Sequence, residues 1–406
     1  MTTSSHIPQN HDLPPINHAA PLSINDPGDA LALVQHTFGY LPQDSLVIIG
    51  LLDGRTGGNL RIDLEPVRRN PVQAGVRCAE WIAGAGAEPV PEAVLVAIME
   101  DEPLSPEAPA DHDQLLGTLA DRLAELAGAQ IAQVWYAAAG YVRDYDCHDE
   151  HCCPYPGTEL HSAMAATWER LPVLLRTGEL DPHEAVEEFL AVTPLVAEHR
   201  IREVQQQEAC PPLTTSGALT VWEAALVRTE GASSAEWIHS ETQRIPALLS
   251  SLDESWTPIL LMLLTTRGAE FVLTAACPAE PDEQALREAI WGDSPLPPRW
   301  ESVEALDSLL HELVPYASPR QREQLLGLKA WIEWIQGSGS RSAAFVEAVH
   351  REFPQRWRQA GYPVLAKTVE HYLQAVGVCS WARVKQSSYS WWKSRAINSS
   401  AEPGMD

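Results

Sequence analysis

The apolar pattern of this chain changes period once, at Tyr145-Asp146-Cys147-His148-Asp149-Glu150-His151-Cys152-Cys153-Pro154-Tyr155-Pro156-Gly157. Before this knot, short apolar runs of strand length alternate with helical stripes; after it, nearly every apolar run recurs at helical spacing. A chain patterned this way cannot form one uniform architecture. The reading is an α/β N-terminal region with a mainly parallel sheet plus an antiparallel hairpin, then a mainly α-helical region.

The segments bear this out in order. Residues 1–25 are polar and proline-rich without periodicity, the signature of a disordered arm. Asp26-Pro27 offers a cap and a first-turn proline for a helix reaching about Phe38. Leu46-Val47-Ile48-Ile49-Gly50-Leu51-Leu52 is an unbroken apolar run suited to a strand covered on both faces. Glycine-rich turns lead to Leu60, Ile62 and Leu64, which alternate with Arg61, Asp63 and Glu65 as in a half-exposed hairpin partner. A helix from Pro71 to Ala83, a strand from Ala93 to Met99, a helix from Asp113 to Ala127 and a strand from Ile131 to Ala137 then suggest crossover units on a parallel sheet.

Past the knot, Leu160, Met164, Thr167, Trp168, Leu171 and Leu175 form a helical stripe. Asp181-Pro182 with Glu184 opens another helix toward Val192. Further helices are expected at Thr215–Val227, Ser234–Ser250 and Asp282–Ile290, while Ile259–Leu264 and Phe271–Leu273 fit helix or strand. Leu325, Leu328, Trp331, Trp334 and Ile335, then Ala343, Ala344, Val346, Ala348 and Val349, suggest one tetratricopeptide-like helical hairpin. A single copy does not make a solenoid. The resulting divisions are 1–25 arm, 26–146 α/β domain, 147–157 Cys/His-rich connector, 158–376 mainly helical domain and 377–406 basic aromatic tail.

With 406 residues and a formal charge of −27, the chain can bury a substantial core but repels phosphate backbones, so nucleic acid is a poor partner. No apolar run of about 18 residues is present, so no membrane span is expected. The start lacks a signal peptide, and seven cysteines are too few and odd-numbered for a secreted disulfide framework, which points to the cytoplasm. In the tail, Arg383, Lys385, Lys393 and Arg395 surround Tyr389, Trp391 and Trp392. Packing of these aromatics against the body is the first reading, docking on anionic lipid or single-stranded nucleic acid the second.

Four stretches carry a family resemblance: Phe38-Gly39-Tyr40-Leu41-Pro42-Gln43-Asp44-Ser45-Leu46-Val47, Arg61-Ile62-Asp63-Leu64, Cys147-x4-Cys152-Cys153-Pro154-x2-Gly157, and Ala330-Trp331-Ile332-Glu333-Trp334 before Gly337. In this order and spread, from about residue 26 to residue 376, the sequence resembles the domain-of-unknown-function 4192 family of actinobacterial proteins. The resemblance implies a cytoplasmic bacterial protein and brings no reaction, cofactor or catalytic residue. His148 and His151 stand between the cysteines, outside the family pattern.

Two places could carry chemistry. Asp44 and Ser45 at the entrance to a buried strand, with Arg61 and Asp63 on its hairpin partner, could bind a small molecule at one sheet end. The competing reading has Asp44 capping the turn and Arg61 pairing with Asp63. In the knot, Cys147, Cys152 and Cys153 could hold zinc, although Cys-x4-Cys-Cys lacks the usual knuckle followed by a distant second pair. A structural turn with buried thiols, stiffened by Pro154 and Pro156, is the preferred alternative, and a redox pair the third. No nucleophile elbow or papain-like context occurs. The expected function is therefore a non-catalytic regulatory or interaction protein with a protein or small-molecule partner. A small-metabolite enzyme and a zinc or thiol-redox protein are the alternatives.

Overall fold

The computed structural model describes residues 24, 26–53, 55–83, 90–101, 112–147, 149, 151–171, 180–191, 201–204, 213–232, 234–276, 282–294, 296–359 and 364–400. The proposed arm, apart from Ile24, and residues His148, Leu175, Val192 and Pro194 lie outside the described residues.

Strands β1 (Ser45–Leu52), β2 (Arg55–Asp63), β3 (Ala93–Glu100), β4 (Gln130–Ala138), β5 (Tyr141–Asp144) and β6 (Thr158–Glu159) form a sheet in the order β2-β1-β3-β4-β5-β6. The sheet is mixed, which corrects the expectation of a mainly parallel one: only β3 and β4 run parallel. The hairpin explains why. Because β1 is antiparallel to both β2 and β3, the helical connection after β2 does return a strand running the same way as β2. It lands on the far side of β1, however, so the strand it meets is antiparallel. A second hairpin then adds β5 to β4.

The period-2 pattern of the strands places a helical layer on each face. Leu46, Ile48, Val94, Val96, Ile98, Val134 and Tyr136 point to one side and pack with helices α3 (Pro71–Ala83) and α4 (Asp113–Ala127). Val47, Ile49, Leu95, Ala97, Met99, Trp135 and Ala137 point to the other, beneath α1 (Pro27–Phe38) and α5 (Leu160–Arg170). Asp26 caps α1 by accepting from the Asp29 amide at 2.9 Å. Buried Asp29 in turn accepts from Thr167 Oγ1 at 3.0 Å and from Arg170, joining α1 to α5. The chain leaves β2 one residue earlier than its alternation suggests, since Leu64 begins the short helix α2 (Leu64–Arg69) and is fully buried there.

The described residues after α5 are mostly helical. Ile259–Leu264 lies within the helix Thr257–Arg267, and Phe271–Leu273 continues as helical turns, so neither is a strand. The single helix expected over 234–250 is broken into turns at Glu236–His239 and Thr242–Arg244 and a helix Ile245–Ser251. Pro246, which has no amide to donate, sits in the first turn of that last helix, where its missing donor costs nothing.

The core of this region centres on the helix Pro319–Ile335, whose Leu325, Leu328, Trp331, Trp334 and Ile335 are all buried. Trp331 Nε1 donates to Ile290 O at 2.9 Å and Trp334 Nε1 to Gly377 O at 2.9 Å, so these two rings bury no unpaired N–H. Gly377, at φ 72°, also marks a meeting of the two regions: a Cβ there would lie 2.5 Å from the Trp81 ring of α3. The basic tail packs on the acidic helix Trp300–Leu313, with Tyr389 Oη donating to Glu304 at 2.6 Å, Trp392 Nε1 to Glu301 at 3.0 Å, and Lys393 pairing with Glu304. Among the described residues no helix is long and apolar enough to cross a membrane.

Candidate functional site

The four residues expected at the sheet end do meet there, but they pair among themselves and with neighbours. Ser45 is fully buried, donates its hydroxyl to Gln43 O at 2.5 Å and accepts from Arg61 Nε at 2.8 Å. Arg61 Nη2 reaches Asp63 Oδ1 at 2.8 Å. Asp44, held at φ 41°, faces Arg68 of α2 at 2.9 Å.

Arg68 extends this set to residues that sequence reasoning missed. Its Nη2 also lies 3.0 Å from Glu100 Oε1 at the end of β3. His112, at the N-terminus of α4, places Nε2 3.2 Å from the same oxygen, and Tyr136 of β4 donates to Glu100 Oε2. Burial alone would raise the Glu100 carboxyl, but hydrogen bonds from His112, Tyr136 and Arg68 outweigh it and hold the group down at about 2. The Tyr136 phenol is pushed up by burial and by the carboxylate it serves. An acid that is always ionised and a phenol that keeps its proton are poor proton shuttles near neutral pH. The signal for this cluster in the sequence is slight: one glutamate ending an apolar strand.

The connector between β5 and β6 brings Cys147, Cys152 and Cys153 together, with all three sulfurs within 4.8 Å of one another. Cys152 is exposed and the other two are half-buried, so the expectation of buried thiols does not hold. Asp149 organises the turn: its carbonyl accepts from the amides of Cys152 at 3.0 Å and Cys153 at 2.7 Å, and its own amide donates to the Cys147 sulfur. That amide, with the neighbouring thiols, lowers the Cys147 thiol, while burial first and the other cysteines next push Cys153 up to about 11. His151 is turned to Asp149, 3.4 Å away, and is 99% exposed. Gly157, at φ 121°, closes the turn where a Cβ would lie 2.4 Å from Val142 O.

The helical region holds a cleft of about 480 Å³. Its walls come from α6 (Pro182–Leu190), from Trp300–Leu313, from Pro319–Ile335 and from the start of Gly339–Glu352. Lys329 stands on one wall, its side chain 13% exposed, with Nζ 2.6 Å from Asp307 Oδ1 and 2.9 Å from Glu333 Oε1. Burial works against its charge, but the two carboxylates overcome that and raise the ammonium, so Lys329 stays protonated. Glu312 faces His239 at 2.6 Å, His239 Nδ1 lies 3.1 Å from Tyr316 Oη, and Arg341 donates to Leu180 O at 3.2 Å. Phe189, edge-on to Phe345 with ring centres 5.4 Å apart, supplies an apolar floor. By contrast, the cavity between α1 and the sheet measures about 10 Å³. The Ala330-Trp331-Ile332-Glu333-Trp334 stretch already contained one member of this site. A glutamate between two buried tryptophans needs a partner, and Lys329 supplies it.

Taken together, these features define a mixed-sheet α/β region joined to a helical region that carries a charged cleft. The chain belongs to the Domain of unknown function (DUF4192) family, whose model matches residues 27–357. No curated protein and no solved structure matches it.

Proposed function

We propose that this is a non-catalytic binding or regulatory protein whose helical cleft takes a small, polar, amine-bearing molecule. The observation that carries the reading is the cleft itself, about 480 Å³ in volume with the Lys329, Asp307 and Glu333 ion triad on its wall. Its volume falls in the range of small-molecule sites. Glu188, Asp307, Glu312 and Glu333 contribute four carboxylates against the two cations Lys329 and Arg341, an excess of two negative charges that favours an amine. Binding fits better than chemistry because a catalytic lysine needs a lowered pKa, whereas that of Lys329 is raised.

The tetratricopeptide-like reading of Pro319–Ile335 and Gly339–Glu352 is part of the same proposal. It is supported by the buried tryptophans and by Ser342 Oγ donating across the pair to Ala330 O at 2.7 Å. So is a cytoplasmic location, which the acidic composition and the cysteine usage favour. The enzyme reading at the sheet end gains less support, since Arg61, Asp63, Asp44 and Arg68 are engaged with one another or with Ser45 and Glu100.

Thermal shift against a panel of amino acids, polyamines and nucleotides tests the proposal on wild type and on Ser308→Trp, which fills the cleft. Amine-bearing members are expected to raise Tm in wild type only. Equal shifts in both proteins, or none from any amine, would overturn it. If Ser308→Trp does not fold, Glu188→Gln on the exposed rim replaces it, with a weakened shift expected.

A further inference from the structure

We propose that the connector between β5 and β6 is a zinc site in which Cys147, Cys152 and Cys153 supply three thiolates and a water completes the coordination. This goes beyond the cleft and does not depend on it. A tetrahedral ion with Zn–S bonds of about 2.3 Å sets its sulfurs about 3.8 Å apart. Here Cys152 and Cys153 are 3.9 Å apart, and Cys147 joins them with all three sulfurs within 4.8 Å. The spacing objection from the sequence, that adjacent cysteines point to opposite faces, applies to extended backbone only. Cys152 and Cys153 instead lie in a turn: both amides fold back to Asp149 O, and their side chains converge.

The surroundings suit thiolates. The Asp149 amide donates to the Cys147 sulfur and the Asp144 amide to the Cys153 sulfur, the kind of outer-shell hydrogen bond that orients a ligand and spreads its charge. The loop is fixed from outside as well: Arg143 Nη2 holds Cys147 O at 2.6 Å, and Asp144 Oδ1 accepts from the amides of Asp146 at 3.0 Å and Cys147 at 3.2 Å. On binding, each thiol releases its proton to solvent and the ion takes the freed lone pair, with no change of oxidation state. Zinc rather than magnesium or calcium follows from an all-sulfur donor set. The exposure of Cys152 leaves the fourth position open to water, and a metal here would pin the turn that passes the chain from the sheet edge to α5.

The test uses the full chain, purified under reducing conditions without added metal or a histidine tag. Elemental analysis is expected to find about one zinc per chain. Competition with a chromophoric chelator should show zinc affinity falling by about 100-fold or more in Cys147→Ser, Cys152→Ser and Cys153→Ser, since loss of outer-shell partners alone costs 10- to 100-fold. Cobalt added to the metal-free protein should give a thiolate-to-metal charge-transfer band that is lost in the same variants. Circular dichroism checks folding, and if a half-buried position fails, the exposed Cys152→Ser still decides. Reduced protein that takes up neither zinc nor cobalt would overturn the site. Equal zinc in wild type and the triple variant, which would place the metal elsewhere, would overturn it too.

Discussion

The sheet end and the helical cleft both bury ionic groups, and they do so to different effect. At the sheet end, Glu100 is surrounded by Arg68, His112 and Tyr136, and these donors come from α2, the start of α4 and β4. The cluster's charges are paired with one another and hold separate pieces of chain in register. In the cleft, Lys329 is paired by Asp307 and Glu333 on two neighbouring helices, but the ion set borders about 480 Å³ of open space. Charges that satisfy one another at a sheet end read as structure, whereas charges facing a cleft read as recognition.

The comparison can be broken most forcefully by removing the helical core. Trp331 is fully buried, so Trp331→Ala should cost about 3–5 kcal/mol by cavity formation and the orphaned Ile290 carbonyl. Chemical denaturation followed by tryptophan fluorescence measures it. Ligand response should be lost with it, and a variant that melts like wild type would show that the cleft does not rest on this core.

The next effect belongs to the sheet end. Glu100 has a folded-state pKa depressed to about 2, so its contribution is fully present above the unfolded value and is lost as pH falls from about 4.5 toward 2. The shift corresponds to roughly 3 kcal/mol. Acid titration of stability should therefore show a steeper loss in wild type than in Glu100→Gln, which starts less stable. Lys329 has the opposite sign: its raised pKa keeps its contribution intact below the unfolded lysine value and removes it only in strong alkali. Matching acid profiles for wild type and Glu100→Gln would remove the distinction between the two clusters.

How much of this was legible beforehand depended on sequence distance. Helix α3 and helix α4 follow the expected bounds because their apolar stripes and flanking signals are local. Strand order was not legible, because nothing within β2 tells the following connection to cross β1. The Glu100 cluster draws on residues 12, 32 and 36 positions away, and no local period records such convergence. In the cleft the i,i+4 pair Lys329 and Glu333 is local, but Asp307 arrives from 22 residues upstream. The knot was visible as a cluster of ligand-type residues. Its geometry was not, because the turn around Asp149 decides where the sulfurs point.

The central claim is that the cleft, and not the sheet end, is the binding site. A crystal structure of the full chain soaked with the amine that gives the largest thermal shift tests it most directly. The account predicts difference density between Lys329 and Arg341, with the amine of the ligand near Glu188 or Glu312. Density at the strand ends, against Asp44, Arg68 and Glu100, with an empty helical cleft would contradict it.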